Sequence, residues 1–301
     1  MKLTPSQEPY PVFVLCPPTY VDSGIPNNKW MEDMSPEERK IDKEKFNGQW
    51  FNFYNVLTSN ALVYLLPAKK GLQDQTYVNS FAYLPHIKDD NVVILSNFRG
   101  KGRAGEEVIA GNFLSKLGYK TFKPKTYFEG YPELKYSGKD NIYYGGYGQR
   151  SDIRTHHWIE EKFGAKIIKL HEKDPYLYHL DCNIFILNKD NVMIYTKGFS
   201  KKELKAIEKV ATIHPVSQDA AYMGICNSLR VNNFVFNASS LAYMNTTDKY
   251  YADEVQKNEE LEKICDKVGL ELMYFDFGEA WKSGALLSCF CAPLNFRDAE
   301  Y

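Results

Sequence analysis

The sequence predicts an α/β fold built from a repeated unit, on three observations. Segments with helical apolar spacing recur along the chain, each ends at a glycine, and a short strand-like run follows each glycine. Gly105 to Leu117 sets Val108, Ile109, Phe113, Leu114 and Leu117 on neighbouring turns, and Gly118 leads into the run YKTF. Asp152 to Phe163 carries Ile159 and Phe163 one turn apart, with Gly164 and then AKIIKL. Glu254 to Val268 carries Leu261, Ile264, Cys265 and Val268, with Gly269 and then LELMYF. Glycine just past a helix end accepts a positive φ without a Cβ clash, so each of the three reads as a C-terminal cap. Further strand candidates are VFVLC, VVILS, NIFIL, NVMIY and LLSCFC. The unit recurs at irregular spacing, which excludes a solenoid array and leaves the α/β class. Ser35 and Glu38 have capping-box spacing and predict a helix start within Met34 to Lys45.

The chain has 301 residues, 44% of them hydrophobic, enough to bury a sizeable core. No low-complexity stretch or composition break marks a linker, so residues 1–301 read as a single domain. The 22 Tyr, 18 Phe and 4 Trp exclude long intrinsic disorder. A net charge of −1 gives no general attraction to nucleic acid or to acidic membranes. The N-terminal MKLTPSQEPYPVFVLCPP has no long apolar run, and ALVYLLPA (Ala61 to Ala68) is too short to span a bilayer. A cytoplasmic protein is expected. The six cysteines form no paired CxxC pattern and read as reduced thiols, and the histidines are scattered. No structural zinc, other metal or organic cofactor is expected. A homo-oligomer is left open.

Polar residues gather at the ends of the strand-like runs. One cluster runs from Tyr127 through Glu129 and Gly130 to Glu133; a second spans Tyr178 to Cys182, a third Gly145 to Arg150, and a fourth Gly284 to Leu294. A cysteine thiolate is a strong nucleophile, and a neighbouring imidazole can move its protons. If His179-Leu180-Asp181 is a strand, alternation points His179 and Asp181 to one face. A carboxylate in that place matches a guanidinium through paired charge-assisted hydrogen bonds. The same alternation puts Cys289 and Cys291 on one face of LLSCFC, so spacing leaves both thiols as candidates. Each feature alone has an ordinary structural explanation. A cysteine in an apolar strand is usually core, and a GGYG segment is usually a turn.

The ordered set of blocks is more specific than any one of them. It runs FVLCPPTYVDSGIPNNKWM (Phe13 to Met31), GLQDQTYVNSFAYL (Gly71 to Leu84), NFRGKGRAGEE (Asn97 to Glu107), FEGYPEL (Phe128 to Leu134), GYGQRSD (Gly146 to Asp152), HLD (His179 to Asp181) and WKSGALLSCFCAPL (Trp281 to Leu294). Together these resemble the guanidino-group-modifying enzymes of the pentein superfamily. That group includes dimethylarginine dimethylaminohydrolases, arginine deiminases, arginine dihydrolases and amidinotransferases. The resemblance implies a five-bladed, pseudo-symmetric α/β propeller around a central site. It also implies roles: Cys289 as nucleophile, His179 as general acid and base, and Glu129 as the carboxylate that orients His179. Asp181 would clamp the guanidinium, Arg99 and Arg150 would hold the α-carboxylate of an arginine-like substrate, and Asp22 would lie in a lid or rim. The Pro-Leu that follows favours Cys289 over Cys291.

Three departures bear on activity. Asn79 stands where deiminases and dimethylargininases generally carry Asp against the guanidinium; arginine dihydrolases carry Asn. Glu133 replaces a shorter Asp among the substrate-binding residues, and Ser283-Gly284 replaces Gly-Gly before the nucleophile. The expected function is therefore hydrolysis of a small guanidino substrate through a covalent cysteine intermediate, with arginine converted to ornithine, carbon dioxide and ammonia. The alternatives are a dimethylargininase or deiminase that releases citrulline, an amidinotransferase, and a binding-only propeller.

Overall fold

The computed structural model describes residues 4–83, 91–100 and 102–295. Leu84 and Lys101, which fall in two of the blocks above, lie outside the described residues.

The described residues form five three-stranded sheets. The first contains β1 (Val12–Leu15) and β2 (Leu62–Leu65), which run parallel. The second is β3 (Ala82–Tyr83), β4 (Val92–Leu95) and β5 (Lys120–Phe122). The third is β6 (Leu134–Tyr136), β7 (Ile142–Tyr147) and β8 (Lys166–His171). The fourth is β9 (Ile184–Asn188), β10 (Asn191–Ile194) and β11 (Thr212–Pro215). The fifth is β12 (Leu229–Val231), β13 (Phe234–Ala238) and β14 (Glu271–Phe275). The last strand, β15 (Ala292–Pro293), pairs antiparallel with β1, with Phe13 opposite Pro293 and Val14 opposite Ala292. The first and last strands thus share one blade.

Every sheet repeats one plan. A short strand pairs antiparallel with a middle strand, and a helical crossover then brings a third strand in parallel. Parallel neighbours need such a crossover because a tight turn cannot reverse the chain twice. The helices α1 (Lys29–Asp33) and α2 (Lys43–Thr58) lie between β1 and β2. The other principal crossovers are α3 (Glu106–Lys116), α4 (Ile153–Phe163), α5 (Lys201–Glu208) and, after the short α6 (Gln218–Tyr222), α7 (Tyr251–Val268). This is the five-bladed α/β propeller that the resemblance implied. No helix among the described residues is long and apolar enough to cross a membrane.

The expected helix–glycine–strand units are present. Gly164 and Gly269 cap α4 and α7 at positive φ, and Gly118 (φ 100°) follows the end of α3. Packing departs from the expected face of α3 at Val108, which is 55% exposed, while Ala110, Gly111 and Leu114 are buried. α2 buries Phe46, Trp50, Phe53 and Leu57, spaced at three to four residues, against Phe275, Phe277 and Phe290. Truncating Phe53 to Ala would cost about 3–5 kcal/mol. The Ser35–Glu38 capping pair forms both reciprocal hydrogen bonds, but no helix follows; a turn does, and α2 starts later, with Asp42 as its cap. Arg39 is the last residue of that turn. Its guanidinium bonds the carbonyls of Ser23 and Met34 and draws the chain back on itself.

Two strand expectations are corrected. His179-Leu180-Asp181 is not a strand: Leu180–Cys182 is a single 3-10 turn. Most of LLSCFC is likewise a 3-10 turn, Leu287–Phe290, and Cys291 ends it. The apolar residues that suggested strands, Leu180, Leu287 and Phe290, are fully buried between blades. Their pattern reports burial rather than extension.

Candidate functional site

The short first strand of each blade is preceded by a turn, and these turns meet at one end of the ring. They are Val78–Ser80 before β3, Tyr131–Glu133 before β6, Leu180–Cys182 before β9, residues 223–228 before β12, and Leu287–Phe290 before β15. The turns before β15, β3, β6 and β9 pack in succession on one another, and Asn227 of the turn before β12 bonds Ser288 in the turn before β15. Each contributes or adjoins a residue with chemistry: Asn79, Glu129 with Glu133, His179 with Asp181, Asn227, and Cys289. The repeat therefore explains why residues far apart in sequence share one site.

Local backbone demands explain some of the motif. Gly130 has φ 70°, and a Cβ there would lie 2.8 Å from the carbonyl oxygens of Ser80 and Ala82. Only glycine lets the Glu129 turn approach the Asn79 turn this closely. Gly146 sits within β7 rather than in a turn, and a Cβ there would meet the Glu172 carboxyl at 2.9 Å.

Glu129 is fully buried and accepts four hydrogen bonds. Its Oε1 takes the backbone N–H groups of Arg99 (3.0 Å) and Gly100 (2.8 Å). Its Oε2 takes Arg150 Nη1 (3.1 Å) and His179 Nε2 (2.8 Å). Burial alone would push its carboxyl up, but the Arg150 guanidinium and the His179 hydrogen bond outweigh it and hold the group well below the carboxylate range. His179 is 5% exposed, and burial lowers its pKa against the opposing pull of Glu129, which favours the neutral imidazole.

Cys289 lines the same cavity as His179 and Asn79. Its thiol pKa is pushed up to about 11, first by burial and then by the charge of Asp181. Asn227 positions this turn: its Oδ1 accepts from Ser288 N (3.0 Å), and its Nδ2 lies 3.7 Å from Cys289 Sγ. Cys291 is fully buried in the apolar core and does not line the cavity. Asp181 Oδ2 accepts from Asn79 Nδ2 (3.1 Å) and Ser288 Oγ (2.9 Å), so Asn79 and Asp181 are in direct contact.

The cavity has a volume of about 20 Å³, room for a single water. Asn27 lies in its wall, donating to Asp74 and accepting from Arg150. Arg150 is stacked over Tyr178, 4.6 Å from the ring centre. Arg99 is exposed, bonds the carbonyls of Gly148 and Gln149, and does not line the cavity. Asp22 is also exposed and caps the Ser23–Gly24 turn through its Oδ1. It lies on the segment that carries Asn27 and not in the cavity wall. Glu133 is buried behind His179, 3.8 Å from its Nε2, and also does not line the cavity.

Sequence reasoning missed several residues of the site. Asp74 and Arg103 line the cavity, and Arg103 is fixed by Glu106 (2.7 Å) and the Tyr77 carbonyl (2.8 Å). Both lie inside blocks that carried the resemblance. Asn227 was legible only through the repeat, because it precedes β12 as His179 precedes β9. Among the described residues no group of three or more His, Cys, Asp or Glu is arranged to hold a metal ion.

In sequence and in fold the chain is similar to guanidino-group-modifying enzymes of the pentein superfamily. No family model matches the chain. Its homologues include N(G),N(G)-dimethylarginine dimethylaminohydrolase of Mycobacterium tuberculosis, 26% identical over 231 residues, 76% of this chain and 70% of that protein. Another is the bifunctional arginine dihydrolase/ornithine cyclodeaminase AgrE of Nostoc, 26% identical over 282 residues; these cover 92% of this chain but only 37% of AgrE. Among solved structures, the N-terminal domain of ArgZ, covalently bonded to a reaction intermediate, matches with a TM-score of 0.81. The match covers 94% of this chain and 97% of that one at 21% identity.

Proposed function

We propose that this chain is a guanidino-group hydrolase acting through a covalent cysteine intermediate, and that its reaction is the dihydrolysis of arginine. The observation that carries the reading is the convergence of Cys289, His179 and Asn79 on one cavity, with Glu129 bound to His179 and Asp181 bound to Asn79. The homologous dimethylargininase and arginine dihydrolases support the substrate class.

The substrate guanidinium lies against the Asn79–Asp181 pair. Its positive charge offsets the burial that keeps the Cys289 thiol neutral, and the thiol proton passes to the neutral His179. The thiolate attacks the guanidinium carbon. His179 returns its proton to the departing ammonia, leaving an alkylthiouronium on Cys289. Neutral again, His179 takes a proton from the water that attacks this carbon. Breaking of the bond to the Cys289 sulfur, which is protonated by His179 as the hydroxyl proton leaves to solvent, gives citrulline. A second hydrolysis frees a second ammonia and leaves a carbamate, which decomposes to carbon dioxide and ornithine. Asn79 favours the second course, since its amide leaves one carboxylate fewer around the intermediate.

Arg150, with Arg99 and Asp22 at the rim, serves the amino-acid end of the substrate once the Asn27 segment opens. The functional residues come from all five blades, so residues 1–301 act as one catalytic domain. The six unpaired cysteines suit a cytoplasmic setting. Mass spectrometry of products from arginine tests the reading. Ornithine with two equivalents of ammonia is expected; citrulline accumulating without ornithine would leave the hydrolase but remove the dihydrolase. Dimethylarginine is the second substrate to test, on the strength of the mycobacterial homologue.

A further inference from the structure

Glu133 and Glu172 stand out from every other carboxylate near the site. They are 0% and 3% exposed, and none of their four carboxyl oxygens meets a hydrogen-bond donor among the described residues. They face one another: Glu133 from the turn before β6, Glu172 from the residue after β8, in the same blade. Gly146 on β7, between those strands, leaves the space that the Glu172 carboxyl fills. Glu133 Oε1 is 3.8 Å from His179 Nε2, on the side where Glu129 already binds.

The surrounding charges do not neutralise this pair. Glu129 is anionic and saturated with donors, and Asp181 is held by Asn79 and Ser288. Arg150 is committed to Glu129 and Arg103 to Glu106. Lys135 is buried with its Nζ 3.7 Å from the Tyr131 ring centre, and no ion pair to it forms among the described residues. The thiols of Cys182 and Cys289 complete the set. Two bare carboxylates in contact here would be strongly repelled.

We propose that Glu133 and Glu172 share a single proton, and that Glu133 is a positioning residue for His179 rather than a contact to the substrate guanidinium. Burial raises both carboxyls well above their ordinary range; the charge of Glu172 adds to this at Glu133 and that of Asp181 at Glu172, while a hydrogen bond from Glu133 draws Glu172 back, in keeping with this arrangement. The pair acts as a charge buffer. In the resting site the proton sits on Glu133, and His179 faces one anion, Glu129. When His179 accepts the Cys289 proton, the shared proton moves across to Glu172, and Glu133 turns a carboxylate toward the imidazolium. No proton enters or leaves the pair, and no solvent is needed.

The role in the reaction rests on the proposed hydrolase, but the shared proton does not. The test therefore begins with infrared spectra of the resting protein at pH 8, above the values of about 6 for Asp74 and about 7 for Glu106. A carbonyl stretch from a neutral buried carboxylic acid is expected, lost in both Glu133→Gln and Glu172→Gln. If no such band exists, or if either variant retains it, the pair is not protonated and the proposal is overturned. Should one variant fail to fold, the other reports the same band. NMR titration of His179 gives a second readout. Glu133→Gln, which mimics the neutral acid, should leave the histidine pKa nearly unchanged; an ionised Glu133 would make it fall by about one unit or more. In turnover, Glu133→Gln should lower kcat while KM for arginine stays within about twofold. A KM rise of about tenfold or more would instead mark a lost charged hydrogen bond to substrate. An inactive wild-type protein that still shows the band would sink the hydrolase and leave the shared proton standing.

Discussion

The resting Cys289 should be a poor nucleophile that a cation switches on. Its thiol stands at about 11, two units above the ordinary 9.0, which at about 1.36 kcal/mol per unit disfavours the thiolate by about 2.7 kcal/mol. At pH 7.5 roughly 3 molecules in 10,000 would carry a thiolate at this position. A unit positive charge about 4 Å away, at an effective dielectric near 20, is worth about 4 kcal/mol and more than offsets that penalty. The assay is alkylation by chloroacetamide, which is neutral, and by chloroacetamidine, which is cationic, with the labelled cysteine identified by peptide mass spectrometry. Labelling of Cys289 by chloroacetamide should climb about tenfold per pH unit up to about pH 10. The cationic reagent should gain at least about thirtyfold over chloroacetamide at pH 7.5, relative to their ratio on free cysteine, and arginine should protect against both. A chloroacetamide profile that levels off below pH 9, or equal relative rates for the two reagents, would exclude a thiol switched on by a cation. The first would mean the thiolate is stabilised by the protein alone; the second, that the cavity does not select cations.

Other outcomes follow from the same geometry. Glu129→Gln leaves Arg150 buried without its carboxylate and His179 without its anion; it should cost about 3–5 kcal/mol in urea titrations and lower kcat about a hundredfold or more. Asn79→Asp puts a second carboxyl at the 3.1 Å contact with Asp181, so one of the two must be protonated. Product analysis should show the citrulline-to-ornithine ratio rising about tenfold or more. Lys135 is 6% exposed, and burial lowers its pKa to about 8 from 10.5, so its charge destabilises the fold below that range. Lys135→Met should therefore raise unfolding free energy by roughly 3 kcal/mol at pH 7. The unfolded chain holds this proton up to about pH 10.4, so the gain should be constant below about pH 8 and vanish as pH rises to about 10.4. Denaturant titrations across that range check both the size and the sign.

The sequence by itself determined the repeating α/β unit, because helical spacing closed by glycine is a local property, and α4 with Gly164 and α7 with Gly269 formed as read. It also marked Glu129, His179, Asp181 and Cys289, since their blocks occur in a specific order. It did not determine that these residues sit in turns. Leu180 and Leu287 looked strand-like because they are buried, and burial between blades is a tertiary fact. Spacing left Cys289 and Cys291 equivalent. The 3-10 turn separates them, opening one to the cavity and sealing the other in the core. Glu133 read as a substrate contact, yet only the packing of β6 against β7 and β8 sets it behind His179 and opposite Glu172. Those two residues are far apart in the chain, and no local pattern links them. The third blade brings their carboxyls together, and the absence of any donor beside them among the described residues makes the pair chemically distinct.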